Sequence, residues 1–279
     1  METLMRPFIQ KIVHHNPMVN CLTNMVTVNF QANALLAIGA SPIMTDEPDA
    51  APQVSRQSQA VVINIGSPFG PGKIEAIKLS IAAANQSGVP VVIDPVGIAA
   101  LDNRRFFVQD LLESYDITAV VGNYSEIAAL AGVSSTGKGV DGGQPDRDIK
   151  ELVTEVARKY QTLIVATGKT DVMGDGHRLF SHSYGDKMLG AVTGTGCVAT
   201  TMVAAFISQA SDQKLQLEAA SLATAYYAWC GGKAVQACQG PGDLPIHLLN
   251  QLYAYSVDVH KHDDHELDSL KIDEERMDD

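Results

Sequence analysis

The chain has 279 residues, of which 46% are hydrophobic, 19% charged and 6% aromatic, a balance that supports a large α/β domain and excludes disordered, collagen-like and coiled-coil chains. Lys+Arg number 20 against Asp+Glu 32, a formal charge of −12, so the surface repels nucleic acid and anionic membranes. A phosphate-bearing ligand must therefore be met by a local positive device and not by the overall field.

The start, Met1-Glu-Thr-Leu-Met-Arg6, lacks the basic segment and apolar run of a secretion signal. Cys21, Cys197, Cys230 and Cys238 form no C-x-x-C pair, which argues against structural zinc and a disulfide framework and fits a cytoplasmic location. The Ala-rich stretch 22–44 is read as an apolar N-terminal helix that offers more apolar surface than a monomer leaves wet. Continuous Val- and Ile-rich runs at 60–66, 89–94, 118–122 and 162–167 predict parallel strands covered on both faces. Helical patterns at 72–86, 104–114, 124–130 and 145–160 fall between them. The alternation predicts a three-layer α/β fold, a mostly parallel central sheet with helices on both faces.

Asp175-Gly176, between 171–173 and 178–180, predicts a hairpin and hence an antiparallel edge to the sheet. The uncharged stretch 188–211 has the length of a membrane span. Gly and Thr crowd its first half, so it is read as a loop leading into a buried helix, and no membrane partner is expected. Ala-rich helices at 197–208, 215–238 and 244–257 are expected to cover the sheet. No linker or repeat divides the chain, so a single domain over 1–259 is expected, followed by an acidic tail. That tail, 260–279, holds nine acids against three bases, and its His260, His262 and His265 are read as solvated.

The expected strands end in Gly66-Ser67-Pro68, Asp94-Pro95-Val96-Gly97, Gly122-Asn123 and Thr167-Gly168. In open α/β sheets the ligand crevice lies outside the carboxyl ends of the strands, so these turns converge on one site. Asp94, followed by Pro, is placed to present a carboxylate to a hydrated cation; the plainer reading is an Asp that starts a turn. Glu126 is either a first-turn acid favoured by the helix dipole or a metal-linked carboxylate. The strongest signal is Val192-Thr-Gly-Thr-Gly-Cys197, which leads into an uncharged helix. Glycines there leave backbone N–H groups pointing outward, an anion hole. Cys197 then sits in the first turn, where the dipole lowers a thiol's pKa and makes it a proton acceptor; the plainer alternative is a small space-filling Cys. Gly137-Lys-Gly139-Val-Asp-Gly142 spells G-x-G-x-x-G but follows a loop, so it is read as a flexible loop. Neither a G-x-x-x-x-G-K-[ST] loop nor a G-x-S-x-G elbow is present.

Residues 22–44 (Leu22-Thr-Asn-Met-Val to Ser41-Pro-Ile-Met44), Asn64-Ile-Gly-Ser67, Asp94-Pro-Val-Gly97, Gly122-Asn-Tyr-Ser-Glu-Ile127 and Val192-Thr-Gly-Thr-Gly-Cys197, in this order, resemble the hydroxyethylthiazole kinases of the ribokinase-like superfamily. The resemblance implies phosphorylation of the primary alcohol of 4-methyl-5-(2-hydroxyethyl)thiazole in thiamine salvage, with ATP and Mg2+. It implies Cys197 as base or orienting group with Gly194 and Gly196 as the anion hole. Met44, Asn24, Gly66 and Gly194 would contact the substrate, and Val121, Asn123, Thr167 and Gly168 the nucleotide. Asp94 and Glu126 would organise the metal and its waters.

A homotrimer is also implied, with residues near Asn24 and Met44 facing Gly66 and Cys197 of a neighbouring subunit. The chain departs from the family pattern in having Val121 where an Arg usually contacts phosphate, Asn20 for a usual His, and Thr195 for the usual Ala. Residues 98–105 replace a Gly/Ala/Thr-rich turn, and Arg104 or Arg105 within them is a candidate replacement for the missing charge. Two other readings are a related superfamily activity, on another small alcohol or in dehydration of hydrated nicotinamide nucleotides, and a non-catalytic ligand-binding descendant. The dehydratases generally carry Asp at the position of Cys197.

Overall fold

The computed structural model describes residues 5–66, 70–133, 146–258 and 267–277. Helix α1 (Met5–His15) buries Met5, Phe8, Ile9 and Ile12 on one face. It leads into β1 (Met18–Leu22), α2 (Val28–Ala37), β2 (Ser41–Met44) and α3 (Ala51–Gln57). The stretch 22–44 is thus not one helix. Gly39, at φ +84°, ends α2 in a conformation that costs an L-residue roughly 1–2 kcal/mol, and the chain turns back as a strand.

The four Val- and Ile-rich runs form β3 (Ala60–Asn64), β4 (Val91–Asp94), β5 (Ala119–Asn123) and β6 (Leu163–Thr167). Between them lie α4 (Pro71–Gln86), α5 (Asp102–Ser114), α6 (Tyr124–Leu130) and α7 (Ile149–Tyr160). Residues 134–145, with the Gly137 to Gly142 motif, lie outside the described residues. The expected hairpin is β7 (Asp171–Gly174) with β8 (Arg178–His182). Its turn residue Gly176 has φ +94°. The uncharged stretch becomes a 3₁₀ turn, Lys187–Ala191, followed by α8 (Thr195–Ile207), which is buried from Val198 onward. Helices α9 (Gln213–Ala237) and α10 (Leu244–Ala254) complete that layer. Among the described residues no helix is long and apolar enough to cross a membrane.

The described strands form one sheet in the order β2-β1-β3-β4-β5-β6-β7-β8-β9, where β9 is Asp273–Arg276. Pairing is parallel from β2 to β6 and antiparallel from β6 to β9. Strand alternation sends Val62, Val92, Val121 and Val165 to the layer of α1, α2, α8, α9 and α10. It sends Val61, Ile63, Ile93 and Ile164 to the layer of α4, α5, α6 and α7. The mostly parallel three-layer architecture is therefore the one expected.

The acidic stretch differs from expectation where it is described. Leu267, Leu270 and Ile272 are buried, and 273–276 pair with β8 as the outermost strand. Apolar residues spaced among the acids anchor this segment, while the β9 side chains stay exposed and Glu275 pairs with Lys150. Charged side chains on an edge strand also discourage further strand addition. His260, His262 and His265 lie outside the described residues.

Candidate active site

Register places the polar residues that end neighbouring strands side by side: Asn64 opposite Asp94, and Asn123 opposite Thr167. Above these ends opens a cleft of about 600 Å³. Asn24, Gly66, Asp94, Val121, Asn123, Glu126, Thr167, Gly194, Gly196 and Cys197 all line it, so ten of the expected site residues, from six separate segments, are brought together. Grooves at the opposite end of the sheet, one beside Tyr115 and Tyr160 and one beside Arg158 and His177, gather none of them.

Helix α8 starts at the cleft. Gly194 caps it at φ +93°, and a Cβ there would stand 2.8 Å from Thr27 Cγ2, so both backbone and space demand glycine. The first intrahelical bond is from Val198 N to Gly194 O at 2.9 Å. The N–H groups of residues 195–197 precede that ladder and face the cleft, with the positive end of the helix dipole behind them. Thr195 is fixed by its hydroxyl, which donates to Leu189 O at 2.9 Å.

Asn64, fully buried, joins the walls of the cleft. Its Nδ2 donates to Asp94 Oδ2 at 2.5 Å and to Cys197 Sγ at 3.1 Å. Its Oδ1 accepts from Asn24 Nδ2 and from Gly66 N, both at 2.9 Å. Asn24 Oδ1 in turn accepts from Val26 N and Thr27 N at 3.0 and 3.1 Å, which folds the loop before α2 over the cleft. A Cβ on Gly66 would lie 2.8 Å from the Asn24 Cβ, so this approach requires glycine.

Burial pushes the Asp94 carboxyl up to about 7, against the opposing effect of hydrogen bonds from Cys197, Asn64 and Thr200. Burial and the neighbouring Asp94 charge push Glu126 up to about 8, against hydrogen bonds from Gly97 and Asn123. Glu126 is held at both oxygens, Oε1 by Gly97 N at 2.9 Å and Oε2 by Asn123 N at 2.8 Å. With Asn123 Oδ1 accepting from Glu126 N at 3.0 Å, this is a reciprocal helix cap. Two adjacent buried carboxyls that resist joint ionisation favour a cation. Among the described residues no three His, Cys, Asp or Glu side chains form a metal site of their own. That composition fits a magnesium ion, which keeps its waters and takes one or two carboxylates plus phosphate oxygens.

Cys197 corrects an expectation. Burial, the Asp94 charge and a hydrogen bond to Asp94 push its thiol above the ordinary value, and bonds to Thr27 and Asn64 only partly offset them. The helix dipole does not lower this thiol, because an acidic neighbour and desolvation outweigh a partial charge. Asn24 corrects another: it touches Asn64, Gly66 and, at 3.8 Å, Cys197 of its own chain.

Met44 and Gly168 stand outside the cleft. Met44 ends β2 opposite Cys21, half-buried at the sheet edge. Gly168 packs against Tyr124, whose ring would lie 2.6 Å from a Cβ there, and donates its N–H to Asp171 Oδ1 at 2.9 Å. Thr167 lines the cleft, its hydroxyl donating to Gly122 O at 3.3 Å. Val121 is buried in the β5 wall and brings no charge.

Of the two candidate arginines, Arg104 lines the cleft, whereas Arg105 pairs with Asp102 at 2.6 Å on the surface. Sequence reasoning left out Asn64 and Thr27 as site residues. An Asn inside the apolar run 60–65 was the available signal, since a buried polar side chain demands partners.

The profile of the Hydroxyethylthiazole kinase family matches residues 9–258. A hydroxyethylthiazole kinase of Exiguobacterium sp. is 38% identical over 237 residues, 85% of this chain and 89% of the relative. The solved hydroxyethylthiazole kinase protein of Pyrococcus horikoshii OT3 superposes with a TM-score of 0.84 at 28% identity, covering 98% of this chain and 99% of that one. A Staphylococcus aureus pyridoxal kinase, solved in complex with ADP, shares the fold with a TM-score of 0.53 at 16% identity over 77% of this chain and 87% of its own. With its sequence matched nearly from end to end and its helix-start cleft in place, this chain belongs to the hydroxyethylthiazole kinase family.

Proposed function

We propose that the chain phosphorylates the primary alcohol of 4-methyl-5-(2-hydroxyethyl)thiazole with ATP and Mg2+, a salvage step toward thiamine. The observation that carries this reading is the opposition, across one cleft, of the N–H groups that start α8 and the Asp94–Glu126 pair. Phosphoryl transfer asks a protein mainly for alignment and charge stabilisation. The N–H groups of 195–197 hold the charge that develops on the moving phosphoryl group. Asp94 would hold Mg2+, with Glu126 acting on its waters, and the ion would neutralise charge on the phosphates. Cys197 orients the alcohol, as suits a protonated thiol bonded to a carboxylate. Arg104 is the cation for the nucleotide phosphates in a chain that has Val121 where an arginine is usual. Thr167 and Asn123 carry the nucleotide end of the cleft.

The same reading includes a homotrimer. Met25 and Val26 are 69% and 70% exposed, and Leu36 56%, beside an edge strand that ends in Met44. In the trimer Met44 reaches the cleft of a neighbouring subunit, having no place in its own. Sedimentation is expected to give a trimer; an active monomer overturns the assembly. The activity is tested by ADP release with the thiazole alcohol, ATP and Mg2+. Release with another alcohol and none with this one removes the substrate assignment and keeps the kinase class.

A further inference from the structure

We propose that Asn64 is the positioning residue of this cleft, one carboxamide that sets the relative places of Asp94, Cys197, Gly66 and Asn24. An Asn side chain has two N–H donors and two acceptor lone pairs, and all four are used here: Nδ2 toward Asp94 Oδ2 and Cys197 Sγ, Oδ1 toward Asn24 Nδ2 and Gly66 N. The orientation is forced. A backbone N–H only donates, so the bond from Gly66 N fixes Oδ1 on that side and leaves both hydrogens for the carboxylate and the sulfur. With its sulfur accepting from Asn64, the Cys197 thiol directs its own hydrogen to Asp94.

The two halves of the amide therefore do different work. The oxygen ties β3 to the Gly66 turn and to the loop before α2, which is scaffold. The nitrogen bridges β4 to the first turn of α8, the two walls between which the alcohol and the phosphoryl group must align. A misplacement of about 1 Å between reacting groups is enough to cost on the order of 10²-fold in rate. Among the described residues no other side chain hydrogen-bonds to all four partners, and the amide is sealed from water that would substitute for it.

Asn64→Asp separates the halves: it keeps an acceptor for Asn24 and Gly66 and replaces the two N–H donors by at most one O–H, shared with Asp94, so the sulfur is left without its donor. This proposal rests on the kinase reading, so the test has one readout that needs turnover and one that does not. Steady-state kinetics of Asn64→Asp with ATP, Mg2+ and the thiazole alcohol are expected to show kcat down at least 100-fold with the ATP KM within threefold. Alkylation of Cys197 by iodoacetamide, followed on its peptide without nucleotide, is expected to slow at least threefold, because the sulfur loses a donor and faces a second carboxylate. A folded Asn64→Asp protein whose kcat and thiol rate both stay within twofold of the parent overturns the proposal.

Asn64→Ala guards against misfolding of the first variant. If its kcat loss disappears on cooling to a temperature at which it is fully folded, Asn64 is merely structural and the proposal fails; a persisting loss supports it. Should the parent protein phosphorylate no alcohol, the kinase reading falls while the alkylation rate still judges Asn64.

Discussion

Arg104 Nη1 donates to the Val96 carbonyl at 3.1 Å, which tethers the first turn of α5 to the Asp-Pro-Val-Gly turn and brings a guanidinium to the cleft. The tether also crowds Gly97, where a Cβ would lie 3.2 Å from Nη1 at φ +80°. Arg104→Gln is expected to raise the ATP KM tenfold or more with a smaller effect on the alcohol KM, and to weaken the salt dependence of nucleotide binding. Arg105→Gln, at a surface ion pair, is expected to change neither. Equal effects of the two substitutions on the ATP KM would remove Arg104 from the nucleotide site.

On the proposed reading Cys197 orients the alcohol as a thiol, so Cys197→Ser is expected to keep kcat within about tenfold, its hydroxyl taking over the bond to Asp94. A resting thiolate base would instead lose roughly 10²–10⁴ on substitution by Ser or Ala. Single-turnover rates at saturating ATP and Mg2+ decide between these outcomes. Cys197→Asp adds a second carboxyl beside Asp94, and its rate is expected to fall more steeply than that of the Ser variant as pH drops below 7.

Gly194→Ala combines a left-handed backbone with a 2.8 Å contact to Thr27. The conformation alone costs roughly 1–2 kcal/mol, and relief of the contact shifts the start of α8. Nucleotide affinity measured by calorimetry is expected to drop at least tenfold while the far-ultraviolet dichroism is unchanged. Gly240→Ala, with nothing within 4 Å of its Cβ and away from the cleft, is the control, and a like drop there would mean that the loss is not specific to the start of α8.

Asp171 and His182 give the fold opposing pH dependences. Burial pushes Asp171 up to about 7, although Gly168 N donates to it, so between about 4 and 7 the folded state holds the extra proton and stability is lost as pH rises. Burial lowers His182 to about 4, so between about 4 and 6.5 the unfolded state holds the extra proton and stability is lost as pH falls. Asp171→Asn removes the first slope. Its melting temperature, relative to the parent, is expected to climb from pH 4 to 7, by at most roughly 2–4 °C per kcal/mol in a domain of this size. Parallel melting curves across that range would exclude a raised Asp171 pKa in the folded state.

The sheet core was legible because a strand covered on both faces must be apolar throughout, and β3, β4, β5 and β6 start and end within two residues of their Val- and Ile-rich runs. The start of α8 was legible for a related reason, since only glycine takes the backbone of residue 194. Strands β1 and β2 were not. Met18-Val-Asn-Cys-Leu22 interrupts its apolar pattern with Asn20, and Ser41-Pro-Ile-Met44 is a short edge strand with no alternation to read.

Tertiary structure alone decided which polar residues meet. Asn24, Asn64 and Cys197 are separated by up to 173 positions in sequence, and their contact follows from parallel pairing that aligns strand ends. It likewise decided the ionisation of Cys197, because burial and a neighbouring carboxylate are three-dimensional facts that a helix position does not carry. The segment 267–277 makes the same point: its charge suggests a tail, but three buried apolar side chains and an open sheet edge place it in the fold. Local chemistry determined the elements and the glycine turn that starts α8, and long-range packing, which no local pattern encodes, determined the network that joins them.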